Sequence, residues 1–260
     1  MSPHHAEQFP VRALGGPTAV FAYGGLRFLT DPTFDKPGDY TESGVTLSKT
    51  APSAAAPDDL GPVDVVLLSH DEHADNLDTS GRALLATVPL TLTTPGGGQR
   101  LGGNAKGLAD WESVELKRPD GGTVTVTGVP AIHGPGPREA IEPVTGQVVG
   151  FVLTGEDLPT VYVSGDNAQL ALVEQIAERF APVDTALLFA GAPRFPVLFG
   201  GATIVLDSAQ AAEAARILDA RRVVPVHYDG WAHFTEGRDD IRAAFTAAGL
   251  ADRLDWGRDA

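Results

Sequence analysis

The residues of this chain best equipped for chemistry are imidazoles and carboxylates that follow apolar runs. Of the histidines, His4 and His5 lie in an unpatterned leader and read as incidental. The other five fall in Ser69-His70-Asp71-Glu72-His73-Ala74-Asp75-Asn76, in Ile132-His133-Gly134 and in Val226-His227-Tyr228-Asp229-Gly230-Trp231-Ala232-His233. A fourth run ends in the same manner at Val163-Ser164-Gly165-Asp166-Asn167. Side chains at strand ends along one sheet edge converge in a crevice. Imidazole with carboxylate suits zinc, manganese or iron in an open, water-bearing site. The chain has no cysteine, which excludes disulfides and thiolate ligands. A lone His after a strand is more often a hydrogen-bonded structural residue, and a lone Gly-Asp more often a turn. Four such places sharing one position relative to their strands argue for a joint role. Asp71, Glu72 and Asp78 read first as solvated or helix-starting carboxylates, with a supporting role at the site as the second reading.

Strands and helices must place these groups. Residues 19–23 and 26–30 read as a hairpin around Gly24-Gly25, and Asp31-Pro32 stops the second strand. Residues 36–61 are rich in Pro, Ala and Asp and read as a long surface loop. The run from Val63 to Ser69 is almost wholly apolar, as in a strand buried on both faces. Further strands are predicted at 90–93, 113–116, 123–129, 149–153, 160–163, 183–189 and 223–226. Helices are predicted at 77–87, 170–180, 208–218 and 239–248. This alternation without a composition break predicts a single domain over residues 1–260, with 1–15 a flexible N-terminus.

The 260 residues, 43% hydrophobic, are enough to bury a substantial core. The 30 glycines and 20 prolines are spread along the chain, so tight turns are expected rather than disorder. A formal net charge of −15 without a Lys/Arg cluster argues against nucleic-acid and anionic membrane partners. No apolar run approaches the ~20 residues of a membrane span. The opening Met1-Ser2-Pro3-His4-His5-Ala6-Glu7 lacks a secretory layout, which makes the cytoplasm the default expectation.

The order strand, His-rich turn, His, Gly-Asp, His resembles the metallo-β-lactamase superfamily. The stretch Gly24-Gly25-Leu26-Arg27-Phe28-Leu29-Thr30-Asp31-Pro32 is similar to its ascorbate-6-phosphate-lactonase-like branch. The resemblance runs from about Ala19 to Trp231. It implies an α/β fold, an αββα sandwich of two mixed sheets flanked by helices. It also implies one or two divalent ions at a sheet edge, zinc first, with manganese or iron as alternatives. By this likeness His70, His73 and His133 would hold one metal, Asp75 and His227 a second, and Asp166 would bridge. The first motif departs from the family pattern His-x-His-x-Asp-His, because this chain has His70-x-x-His73-x-Asp75-Asn76. Either His70 reaches the site through an altered turn or Asp71 takes its place. Asn76 offers a neutral oxygen where the family has imidazole, so the second position is expected to be the weaker.

A bound divalent ion lowers the pKa of water from ~15.7 toward ~7 and makes hydroxide available at neutral pH. Asp75 would orient that water or act as base. His233 is a candidate proton donor or oxyanion contact, or else a packing residue beside Trp231 and Phe234. Arg138 and Arg194 could bind a substrate anion, although each reads first as a surface arginine. The expectation is hydrolysis of a small ester, lactone or phosphodiester, with an anionic substrate left open. A non-catalytic metal- or ligand-binding protein is the alternative. Redox chemistry like that of flavodiiron proteins ranks lower, as no flavin-binding domain accompanies the site.

Overall fold

Strands whose successive residues are all apolar need cover on both faces, and that requirement sets the architecture. The computed structural model describes residues 9–42 and 45–257. The first half supplies β1 (Val11–Gly15), β2 (Thr18–Tyr23) and β3 (Leu26–Thr30). A separate hairpin follows, β4 (Gly38–Glu42) with β5 (Val45–Lys49). Then come β6 (Val65–Leu67), α1 (Thr79–Leu85), β7 (Leu90–Thr93), α2 (Pro95–Leu101) and β8 (Ala105–Gly107). The first sheet has the order β1-β2-β3-β6-β7-β8.

The second half supplies β9 (Ser113–Lys117), β10 (Thr123–Ala131), α3 (Arg138–Thr145), β11 (Val148–Gly155) and β12 (Val161–Val163). It continues with α4 (Leu170–Phe180), β13 (Thr185–Phe189), α5 (Ser208–Ile217), β14 (Arg222–Val226) and α6 (Arg238–Ala247). This sheet has the order β14-β13-β12-β11-β10-β9.

Period-two alternation then sorts side chains into layers. Phe28, Val65 and Leu67 of the first sheet meet Phe151, Leu153, Leu187, Phe189 and Val224 of the second in one shared interior. Their neighbours Leu29, Val66 and Leu68 point outward onto Leu77 and Leu85. On the far side, Val152, Tyr162, Ala186 and Leu188 pack against Val173, Ile176, Ala211, Ile241 and Phe245 of α4, α5 and α6. The result is helices, sheet, sheet, helices, the expected αββα sandwich. No helix among the described residues is long and apolar enough to cross a membrane.

Strand direction places the site. β10 and β12 are both antiparallel to β11, and β12, β13 and β14 are mutually parallel. The C-terminal ends of β10, β12 and β14 therefore share one edge. The end of β6 joins them across the sandwich, where Val149 N donates to Ser69 O at 3.1 Å.

The hairpin at Gly24-Gly25 forms as expected, with both glycines at positive φ and Tyr23 opposite Leu26. Two expectations are corrected, and helix α2 is found where none was predicted. Residues 36–61 are not one loop but contain β4 and β5, whose short alternation of Tyr40, Val45 and Leu47 is obscured by the Pro- and Asp-rich flanks. The N-terminus is strand β1 from Val11, held by antiparallel pairing with β2, while Met1–Gln8 lie outside the described residues. The segment Pro95-Gly96-Gly97-Gly98 opens helix α2 despite poor propensity, because Thr94 caps it by accepting from Gly97 N.

Phe151 is fully buried between the sheets. Phe151→Ala should cost about 3–5 kcal/mol in urea unfolding while leaving the far-ultraviolet circular dichroism of the folded protein unchanged.

Candidate metal centre

The turn after β6 begins with Ser69, whose backbone N–H and hydroxyl both donate to Asp31 Oδ1 at 2.8 Å. It then coils so that Asn76 N and Leu77 N both donate to His73 O. This extra residue of turn brings His70 and His73 onto the same side. From the second sheet, His133 leaves β10 and Asp166 leaves β12. Between β12 and Asp166, Gly165 sits at φ 56°, where an added Cβ would lie 2.9 Å from Ser69 Cβ and from Val149 O. Glycine is what lets the two sheet edges close here. His227 leaves β14 at φ 58°, with its N–H donating to Gly16 O at 2.6 Å.

The side chains form two adjoining groups. Ligand atoms of His70, His73 and His133 lie within 4.8 Å of one another. Asp75, His227 and Asp166 make the second group, with His227 Nε2 at 3.4 Å from Asp75 Oδ2 and 3.8 Å from Asp166 Oδ1. The other oxygen of Asp166, Oδ2, lies 3.5 Å from His133 Nε2. Asp166 thus faces both groups with one oxygen each.

Hydrogen-bond partners assign the ring protons. Ser69 Oγ gives its proton to Asp31, so His70 Nδ1, 3.0 Å away, must be the donor to Ser69, which leaves His70 Nε2 bare. His133 Nδ1 donates to Ile204 O at 2.7 Å, which leaves its Nε2 bare as well. Burial, opposed by Asp166 and reinforced by His73, brings the His133 pKa down to about 4, so the ring is neutral at pH 7. Burial and the neighbouring histidines also hold His70 well below its ordinary value. His227 differs: burial lowers its pKa, but Asp166 and Asp75 outweigh burial and raise it. Burial would raise Asp75, yet His233 and His227 hold it well below the usual carboxylate range.

These assignments leave acceptors facing acceptors. His133 Nε2 and Asp166 Oδ2 are buried, 3.5 Å apart, and Asp166 Oδ2 has no hydrogen-bond partner. Both ring nitrogens of His227 also lack one. Two ligands of one zinc, each about 2.0–2.1 Å from it, stand roughly 3.3 Å apart, so these separations suit a shared cation. His70 Nε2 and His73 Nδ1 lie 2.7 Å apart and share a proton in the metal-free protein, the place a cation held by both rings would take.

All six expected ligands are brought together, and His233 joins them by hydrogen-bonding Asp75 Oδ2 through Nε2 at 2.9 Å. Between the two readings of the first motif, the geometry favours His70. Asp71 is instead held by Arg100. Asn76 presents its amide nitrogen, donating to Asp166 Oδ1 at 3.1 Å and Ser69 Oγ at 3.3 Å. Asp78 caps α1 and pairs with Lys49. Arg138 is shared by Asp110 and Glu142, and Arg194 bridges to Thr203. His4 and His5 lie outside the described residues. Sequence reasoning missed Asp31 as the anchor of Ser69; its place directly after a strand, before Pro32, was the available signal.

A cavity of about 370 Å³ opens onto His73, Asp75, His133, Asp166 and His233. Its outer wall comes from elements outside both sheets, including the β4–β5 hairpin and α3.

Residues 26–228 match the family described as the beta-lactamase superfamily domain. A UPF0173 metal-dependent hydrolase of Pyrobaculum neutrophilum is 28% identical over 248 residues, 93% of each chain. Another, of Pyrococcus horikoshii, is 26% identical over 220 residues, 83% of each chain. Among solved structures, an isothiocyanate hydrolase from Delia radicum gut bacteria has a TM-score of 0.77 at 21% identity, over 94% of each chain. A possible metal-dependent hydrolase from Veillonella parvula has a TM-score of 0.76 at 16% identity, over 95% of each chain. At these identities the structures speak for the fold.

Two outcomes are expected. His73→Ala and His133→Ala should each lower metal content at least about 10-fold by elemental analysis, with the fold retained; full occupancy in both would refute the assignment. His133 is held neutral down to about 4, against 6.5 for a free imidazole, because burial penalises its charged form. In metal-free protein its ring should therefore keep neutral-imidazole NMR shifts at about pH 5.5, where an exposed histidine is largely protonated, and a His133 midpoint at or above 6.5 would refute this.

Proposed function

This chain belongs to the metallo-β-lactamase superfamily and is by family a metal-dependent hydrolase; we propose that it cleaves a small ester, lactone or phosphodiester with water at the edge of its two sheets. The observation that carries this reading is the facing pair of buried acceptors, His133 Nε2 and Asp166 Oδ2, at the floor of an open cavity. His70, His73 and His133 would hold one ion, Asp75 and His227 a second, with Asp166 between them. A divalent ion in this setting acidifies water and draws charge from the oxygen under attack.

The chain's own groups supply the rest. Asp75, held ionised, orients the attacking water and accepts its proton. His233 steadies that carboxylate by donating from Nε2 to Oδ2. The His233 ring is itself stacked on Phe195 at 5.5 Å and packed against Phe234 at 4.5 Å. On this reading His233 acts on the site through that nitrogen while its ring packs against Phe195 and Phe234.

A binding-only protein is the second reading, favoured by Asn76. Its amide nitrogen meets Asp166 Oδ1 at 3.1 Å and occupies an oxygen that the second ion would need. A place in the ascorbate-6-phosphate-lactonase-like branch rests on the Gly24–Pro32 stretch alone.

Protein prepared without chelator should contain about one or two equivalents of transition metal. It should hydrolyse at least one of a 4-nitrophenyl ester, a γ-lactone, bis(4-nitrophenyl) phosphate or an isothiocyanate. Dialysis against EDTA should abolish turnover, and zinc or manganese should restore it. Equal activity without metal would sink the mechanism, and metal-loaded protein inert to all four probes would favour the binding-only reading.

A further inference from the structure

We propose that the cavity selects substrates with an apolar, uncharged acyl arm and turns away those whose arm carries an anion, which narrows the proposed classes to an ester or lactone and rests on the hydrolase reading of the same site. The wall facing the metal ligands is apolar, built by Tyr40, Val45, Leu47, Val144, Phe195 and Leu198. Among the described residues the exposed large hydrophobic side chains are Val144, at 52%, and Val197, at 83%. Val144 lines this cavity and Val197 directly precedes Leu198. Apolar surface left open in this way, gathered at one mouth, marks a ligand-binding rim.

Charge points the same way. Among the described residues no Lys or Arg lines the cavity, whereas Glu72 and Glu142 do. The arginines paired with those carboxylates are already shared. Arg100 lies between Asp71 and Glu72, and Arg138 between Asp110 and Glu142, so each cluster keeps a net negative charge. A carboxylate at the far end of the substrate arm, away from the metal ligands, would be desolvated against this wall with no cationic side chain in the lining to pair it. The apolar wall is also fixed in place. Ala232 N donates to Ser48 O at 2.9 Å, Lys49 bridges to Trp231, and the Tyr40 ring sits 5.5 Å from the Trp231 ring.

For an ester, the water oxygen bonds to the acyl carbon, the acyl C–O bond breaks, and the departing alcohol or phenol takes up a proton. The test compares 4-nitrophenyl pentanoate with mono-4-nitrophenyl glutarate, which share leaving group and acyl length and differ in one terminal carboxylate. Metal-loaded enzyme should show kcat/KM at least about 10-fold higher for the pentanoate. Leu47→Arg, which places a cation in the wall, should narrow or invert that ratio. Equal or preferred cleavage of the glutarate by the unmodified enzyme overturns the inference and leaves the hydrolase reading standing. Should neither ester be cleaved, only the ester form of the hydrolase reading fails, and calorimetry with the corresponding 4-nitroanilides decides the inference. Tighter binding of the pentananilide supports it, and equal or weaker binding refutes it.

Discussion

A buried imidazole nitrogen and a buried carboxylate oxygen that face each other without a proton between them are an arrangement a bare protein interior disfavours. His133 Nε2 and Asp166 Oδ2 are such a pair. The surroundings are organised to keep them so. Ile204 O takes the only proton His133 has to give, and Ser69 with Asp31 does the same for His70. The structure therefore stores unfavourable electrostatics at one edge, held there by the sandwich behind it. A cation is the species that relieves it.

The cost of that edge is met by the interior. Phe28, Leu67, Phe151, Leu187 and Phe189 are buried without a polar partner to satisfy, so the interior between the sheets is apolar, and the sheets are joined at the edge by hydrogen bonds such as Val149 N to Ser69 O. Because β6 lies in one sheet and β10, β12 and β14 in the other, the ligand set exists only once the sheets have docked. Gly165 sits at a close approach of the two edges. Fold stability and site geometry are in this sense one property, since a loosened interior would separate His70 from Asp166 before it exposed either.

Most of the frame was legible because apolar periodicity survives in strands buried on both faces. The runs ending at His70, Asp166 and His227 announced both the strands and the side chains that converge at their ends. The extra residue between His70 and His73 was visible, but its effect was not: which of His70 and Asp71 turns inward depends on Arg100, twenty-nine residues from Asp71 and brought near only by tertiary packing. The amide orientation of Asn76 was hidden for the same reason, because it is set by Asp166 and Ser69 together. The β4–β5 hairpin stayed hidden because it joins neither sheet, and so its short alternation answers to no large apolar face.

That hairpin bears on how such a protein can change over time. The groups placed to hold metal stand on the frame, at the ends of β6, β10, β12 and β14. The outer wall of the cavity stands on additions to it: the hairpin, α3 and the segment around Phe195 and Leu198. A substitution at Tyr40 or Val144 alters no contact within the shared interior. Such positions can be sampled by mutation while the reactive centre and the fold stay under separate selection. The architecture is thus modular in inheritance as well as in space, with one reaction held constant and its range of substrates left free to drift.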